Sequence, residues 1–117
     1  MVKLANEKGT IHISTDVFTW LAGDAATHCF GVKGMAGLSK ESGLVQLLRR
    51  ESMTRGVSVR ALDDDGIAID LHIVVDHGVN LAALCESIRN EVSYKVSAST
   101  DVPVRRVDVY IDSIVMD

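Results

Sequence analysis

The sequence predicts a two-layer α/β (α+β) fold: a mixed four-stranded sheet with helices packed on one face, in the order β-α-(short α)-β-β-α-β. Three observations predict it. Two arms with a period of two flank an Asp-rich turn between Gly56 and Gly78, a long helical stripe runs from about Asn80 to Ser99, and a last alternating run spans Val104 to Ile114. Each strand shows one apolar face and each helix one apolar stripe, so one layer of strands roofed by helices buries both sets. At 117 residues the chain has the size of a single domain, 1–117, that needs no metal or disulfide staple.

Met1 to Lys8 reads as a loose lead-in. Gly9 to Ile13 is predicted as the first strand, with Ile11 and Ile13 on one face and His12 on the other. Ser14, Thr15 and Asp16 offer capping oxygens for a helix, along which Val17, Leu21, Ala25 and Cys29 recur every four residues. Small residues at Ala22, Gly23, Ala25 and Ala26 let that helix lie close to a sheet. Next come Gly31, Gly34, Met35 and Gly37, within Gly31 to Leu38. Three glycines in this stretch are expected to end the helix and form a tight connecting loop with unusual backbone angles, Met35 at its tip. The loop lacks GxGxxG and a P-loop ending, and it follows a helix, which excludes a nucleotide cradle. Ser39 to Thr54 carries a short helical pattern from about Gly43, with Leu44, Leu47 and Leu48 inward and Arg49 and Arg50 outward.

The hairpin is the strongest local signal. Val57, Val59 and Ala61 share one face of the first arm; Ile67, Ile69, Leu71, Ile73 and Val75 share one face of the second. Asp63-Asp64-Asp65-Gly66 supplies the turn, because Asp tolerates and Gly permits left-handed dihedrals. In the long helix Leu81, Leu84, Cys85, Ile88, Val92 and Val96 form the apolar stripe, and Pro103 prevents continuation. On the last strand Val107, Val109 and Ile111 lie on one face, with Arg106, Asp108, Tyr110 and Asp112 on the other.

A net charge of −4 and only one Trp, two Tyr and two Phe argue against a nucleic-acid partner, which requires a basic footprint. No run approaches the ~18 apolar residues of a membrane span and the first residues lack a signal-peptide core, so a cytoplasmic protein without direct membrane insertion is expected. Cys29 and Cys85 read as free thiols on apolar helix faces, with no ligand spacing for zinc. Asp63, Asp64 and Asp65 lack the calcium-loop pattern, and the pairs Arg49-Arg50 and Arg105-Arg106 read as solvated surface. On the outer sheet face Asp70 and His72 stand with Val74, Tyr110 and Ser58. If the strand of His12 paired beside that of His72, then His12, Asp70 and His72 would form a cluster able to act as a metal site or base. None of the four histidines, His12, His28, His72 and His77, sits in a known catalytic context. The amphipathic outer face and uncovered sheet edges suit a module that assembles with further copies of the chain, as a homo-oligomer, or with another protein.

Several stretches together resemble the alkaline-shock, envelope-stress-response family of Gram-positive bacteria, most of all its small YloU-like branch: GTIHIS (9–14), GDAAT (23–27), GVKGMA (31–36), LRRESMTRGVSV (48–59), IAIDLHIVVDHG (67–78), VSYKV (92–96) and VDVYI (107–111). One departure is the turn before the last strand, where the family tends to have Gly and this chain has Asp101. The resemblance implies a small cytosolic α/β protein with no catalytic residue and no cofactor, linked to envelope homeostasis. It implies protein partners: a membrane-anchored protein or a dihydroxyacetone-kinase-like fatty acid kinase. The expected function is thus a non-enzymatic interaction or scaffold protein. Its partner surface is expected first at Gly31, Gly34, Met35 and Gly37, then at Asp70 and His72. The alternatives are a KH-like nucleic-acid-binding module and a small metal-binding protein.

Overall fold

The computed structural model describes residues 2–38, 44–63 and 65–116, and of Leu38 and Glu51 the backbone only. In chain order run β1 (Val2–Asn6), β2 (Gly9–Ile13), α1 (Thr15–Thr27), β3 (Val32–Leu38), β4 (Val45–Leu47), a 3-10 helix (Arg50–Gly56), β5 (Val57–Ala61), β6 (Ile67–Asp76), α2 (Leu81–Thr100) and β7 (Val104–Val115). The result is an α+β fold with a mixed sheet, as expected.

β6 is the spine of the sheet. β7 runs parallel along it from Ile67↔Val104 to Asp76↔Val115. The other edge of β6 is shared: β5 pairs antiparallel with Ile67–Leu71, and β3 pairs antiparallel with Ile73–Val75. β4 extends β3 outward, Leu47 opposite Ala36. Ile67, Ile69, Leu71, Ile73 and Val75 are completely buried, in one cluster with Phe18, Ala22, Ala25 and Ala26 of α1 and Leu84, Ile88, Val92 and Val96 of α2. Both helices therefore roof the same side.

Local chemistry sets the helix ends. The Ser14 Oγ accepts from the Asp16 N–H at 3.3 Å, and the Asn80 Oδ1 accepts from the Ala83 N–H at 3.0 Å. α2 ends on Asp101, left-handed at φ 60°, in the position that glycine most often fills. In the hairpin turn Asp65 takes the positive φ, 64°.

Four expectations at the level of elements are corrected. The lead-in is a strand: Val2–Asn6 pairs with Gly9–Ile13 in a separate two-stranded hairpin, so the first predicted strand is not part of the main sheet. The stretch 31–38 is not a loop. Only Gly31 has a positive φ, 101°; Gly34 and Gly37 lie in β3, where a Cβ would stand 2.9 Å from Leu47 Cδ1 and 2.9 Å from Leu48 Cδ2, respectively. These two glycines leave room for leucines to cross the strand. The short helix predicted from Gly43 is absent from the described part: Val45–Leu47 is a strand and the 3-10 turn begins only at Arg50. Leu48 is buried, while Leu44 and Leu47 are exposed; residues 39–43 lie outside the described residues. In α1 the buried apolar stripe is Phe18, Ala22, Ala25 and Ala26, with the buried Cys29 just past the helix end, whereas Val17 is exposed.

Candidate functional site

The side of the sheet away from the helices carries the polar residues the sequence places there. Alternation along β6 turns Ala68, Asp70, His72 and Val74 outward. β7 sets Arg106 beside Ala68, Asp108 beside Asp70 and Tyr110 beside His72, and β5 sets Ser58 beside Asp70 on the far side.

His72 is the centre of this face. Its Nδ1 lies 2.9 Å from the Asp112 Oδ2, and its ring stacks on Tyr110 with centroids 4.7 Å apart and planes 11° from parallel. Asp112 shares the outer face with Tyr110 by strand alternation, and it falls where the β6–β7 register slips between Ile73 and Val74. On one side of this trio is a shallow cleft of about 580 Å³, lined by Gly37, Val45, Arg55, His72 and Asp112. On the other is a polar depression of about 500 Å³, lined by Arg60, Asp70, Arg106, Asp108 and Tyr110.

That depression is electrostatically balanced. The Arg106 Nε donates to the Asp108 Oδ2 at 2.8 Å. This bond and the charge behind it hold the Asp108 carboxyl below its usual range and raise the Arg106 guanidinium. Arg60 lies 3.9 Å from Asp70, whose second oxygen, Oδ1, is buried and has no hydrogen-bond partner among the described residues. The arrangement offers charge-assisted hydrogen bonds to an incoming surface.

The predicted site residues divide. His72, Asp70 and Gly37 do line the outer face. Met35 is not an apolar tip: it is fully buried in the core, because β3 turns it toward the helices opposite Ile73. Gly34 lies under Leu47, and Gly31 lies against Val79 and Leu84 near the start of α2. His12 does not join Asp70 and His72, since its strand pairs only in the β1–β2 hairpin, opposite Lys3. The described residues contain no group of three or more His, Cys, Asp or Glu placed to hold a metal ion. Sequence reasoning missed Arg55 and Val45, which reach the cleft from a connection with no periodic signal; Arg60 is implied by the alternation of β5. Cys29 and Cys85 are free thiols, both pushed up in pKa, chiefly by burial.

Known proteins match this chain over nearly its whole length. The model of the alkaline-shock protein 23 family, described as having a cell envelope-related function, matches residues 3–116. The uncharacterized protein YloU of Bacillus subtilis is 32% identical over 97% of this chain and 94% of its own length. The uncharacterized protein Spy1614 of Streptococcus pyogenes is 32% identical over 97% of this chain and 93% of its own. Among solved structures a MamM-CTD superimposes with a TM-score of 0.52 at 15% identity, covering 86% of this chain and 99% of that one, a likeness of fold alone.

Proposed function

Because the chain belongs to the alkaline-shock protein 23 family, whose function is cell envelope-related, we propose that it is a non-enzymatic interaction module of envelope homeostasis that docks a protein partner on its outer sheet face. One observation carries this reading. The helices cover a single side of the sheet, and the opposite side presents His72, Tyr110 and Asp112 between an apolar-edged cleft and an acid–arginine depression. An aromatic ring set among paired charges is the composition of a recognition surface. Among the described residues no helix is long and apolar enough to cross a membrane; in this reading an integral-membrane protein or a kinase-like protein supplies the attachment.

A photo-crosslinking residue at position 110, with the exposed Tyr94 position on α2 as control, tests this in the native cell. The expected result is a discrete crosslink from position 110 to a membrane-anchored or kinase-like protein and none from position 94. Crosslinks from position 94 alone, or from neither position, would overturn it.

A further inference from the structure

Among the described residues β7 pairs with β6 alone, so the second edge of this 12-residue strand forms no ladder. An edge of that length is a template for another strand. Its sequence is also self-complementary. Read antiparallel against itself about Val109, it sets Val109 opposite Val109, Val107 opposite Ile111, Val104 opposite Ile114, Asp108 opposite Tyr110, and Arg106 opposite Asp112. Directly opposed residues of an antiparallel pair share a face. Arg106 and Asp112 both lie on the outer face, with Asp108 and His72, respectively, and the apolar pairs lie on the helix side.

We propose that β7 pairs antiparallel with β7 of a second copy, with Val109 on the two-fold axis, so that two sheets become one. This names an occupant for the strand edge, distinct from the protein proposed for the outer face, and Arg106 and Asp112 border both surfaces.

Charge selects the register. With the axis on Asp108, two carboxylates face each other; with the axis on Tyr110, Asp108 faces Asp112. An axis on Val107 keeps Arg106 against Asp108 but sets Arg105 against Val109 and shortens the ladder. Only the Val109 axis joins two opposite-charge pairs to an uninterrupted apolar row, and like charges directly opposed disfavour the others. The groove between α2 and β7, lined by Arg89, Asn90 and Ser93 on the helix and by residues 104–108 on the strand, lies beside the edge that the second copy would cover. A two-fold pairing closes on itself and leaves neither β7 edge open to further addition.

The test is a charge exchange followed by sedimentation from micromolar to millimolar concentration. Wild type is expected to dimerise. Arg106→Glu and Asp112→Arg each create two like-charge pairs and should weaken self-association at least about ten-fold. An equimolar mixture of the two variants should restore the dimer. In the mixed pair the introduced carboxylate of one copy faces the introduced guanidinium of the other, and the remaining Arg106 faces the remaining Asp112. A strictly monomeric wild type, a dimer indifferent to both reversals, or a mixture that stays monomeric would overturn the proposal. Because Tyr110 would face Asp108 of the second copy, a position 110 crosslink to this same chain counts for the β7 pairing and one to a different protein counts for the outer-face partner, so the two proposals fail separately. Should a charge variant lose its circular-dichroism melt, Val109→Cys replaces it. An oxidant should join two such copies through the axis at least about ten-fold faster than it joins Arg60→Cys copies at the far edge; equal rates would overturn the proposal.

Discussion

Gly56 leaves the space beside its Cα, toward the carbonyl oxygen of Ala36, too narrow for a side chain. A Cβ built there would come within 2.9 Å of that oxygen, 3.0 Å of the Met35 Cβ and 3.1 Å of the His72 carbonyl oxygen. This is where β3 and β5 meet end to end on the shared edge of β6. Two of the three obstacles are backbone atoms of paired strands, which have nowhere to go. Gly56→Ala should therefore cost about 1–3 kcal/mol by overpacking, read as a lower urea midpoint at unchanged slope.

Gly23 behaves oppositely. It lies inside α1, and its added Cβ would meet the Met53 Cγ at 3.4 Å and Val57 Cγ2 at 3.6 Å, which is ordinary contact. Gly23→Ala recovers helix propensity of about 0.5–1 kcal/mol. We expect a raised thermal midpoint, the reverse of the effect at Gly56.

Asp101 closes α2 with a left-handed φ of 60°, a conformation that costs a residue with a side chain about 1 kcal/mol and glycine almost nothing. Its carboxylate also sits at the negative end of the helix dipole. Asp101→Gly should stabilise the protein by about 0.5–1.5 kcal/mol in chemical denaturation, and Asp101→Asn by less. A loss of stability in the glycine variant would show that this end is held by contacts of the carboxylate.

The thiols give a pH dependence with a defined sign. Burial first, then the Glu91 carboxylate, push the Cys29 thiol above its ordinary value of 9.0, and burial does the same for Cys85. The unfolded chain then loses these protons before the folded one. Stability is accordingly intact below the ordinary thiol pKa and falls as pH rises through it. Denaturant midpoints should decline between about pH 8 and 10, and the decline should be smaller in Cys29→Ala. At neutral pH both thiols should react with an aromatic disulfide reagent more slowly in the folded protein than in urea.

The strands β5, β6 and β7 are legible in the sequence because each has one face on the core and one toward solvent, so apolar and polar residues alternate. The stripe of α2 is equally plain, and its residues Leu84, Ile88, Val92 and Val96 are buried as that spacing requires. β3 is hidden because it is covered on both sides: Met35 is buried toward the helices and Ala36 toward the outer face, which removes alternation, while Gly34 and Gly37 mimic a loop. In α1 a strict period of four through Val17 and Leu21 drifts off the true 3.6-residue turn, and so misses Phe18. Of the site, His72, Asp70, Tyr110 and Asp112 follow from strand alternation. The cleft wall formed by Arg55 and Val45 does not, since it depends on how the chain returns to the sheet between β3 and β5.

Because β7 occupies one whole side of β6 and comes from residues 104–115, the spine of the sheet stays half-dressed while the chain is being synthesised. Ile67 to Asp76 leaves the ribosome first, followed by α2, and lacks its longest neighbour until β7 emerges. Translation thus sets the latest step of assembly, and a nascent chain stalled within α2 should be the species most in need of a chaperone.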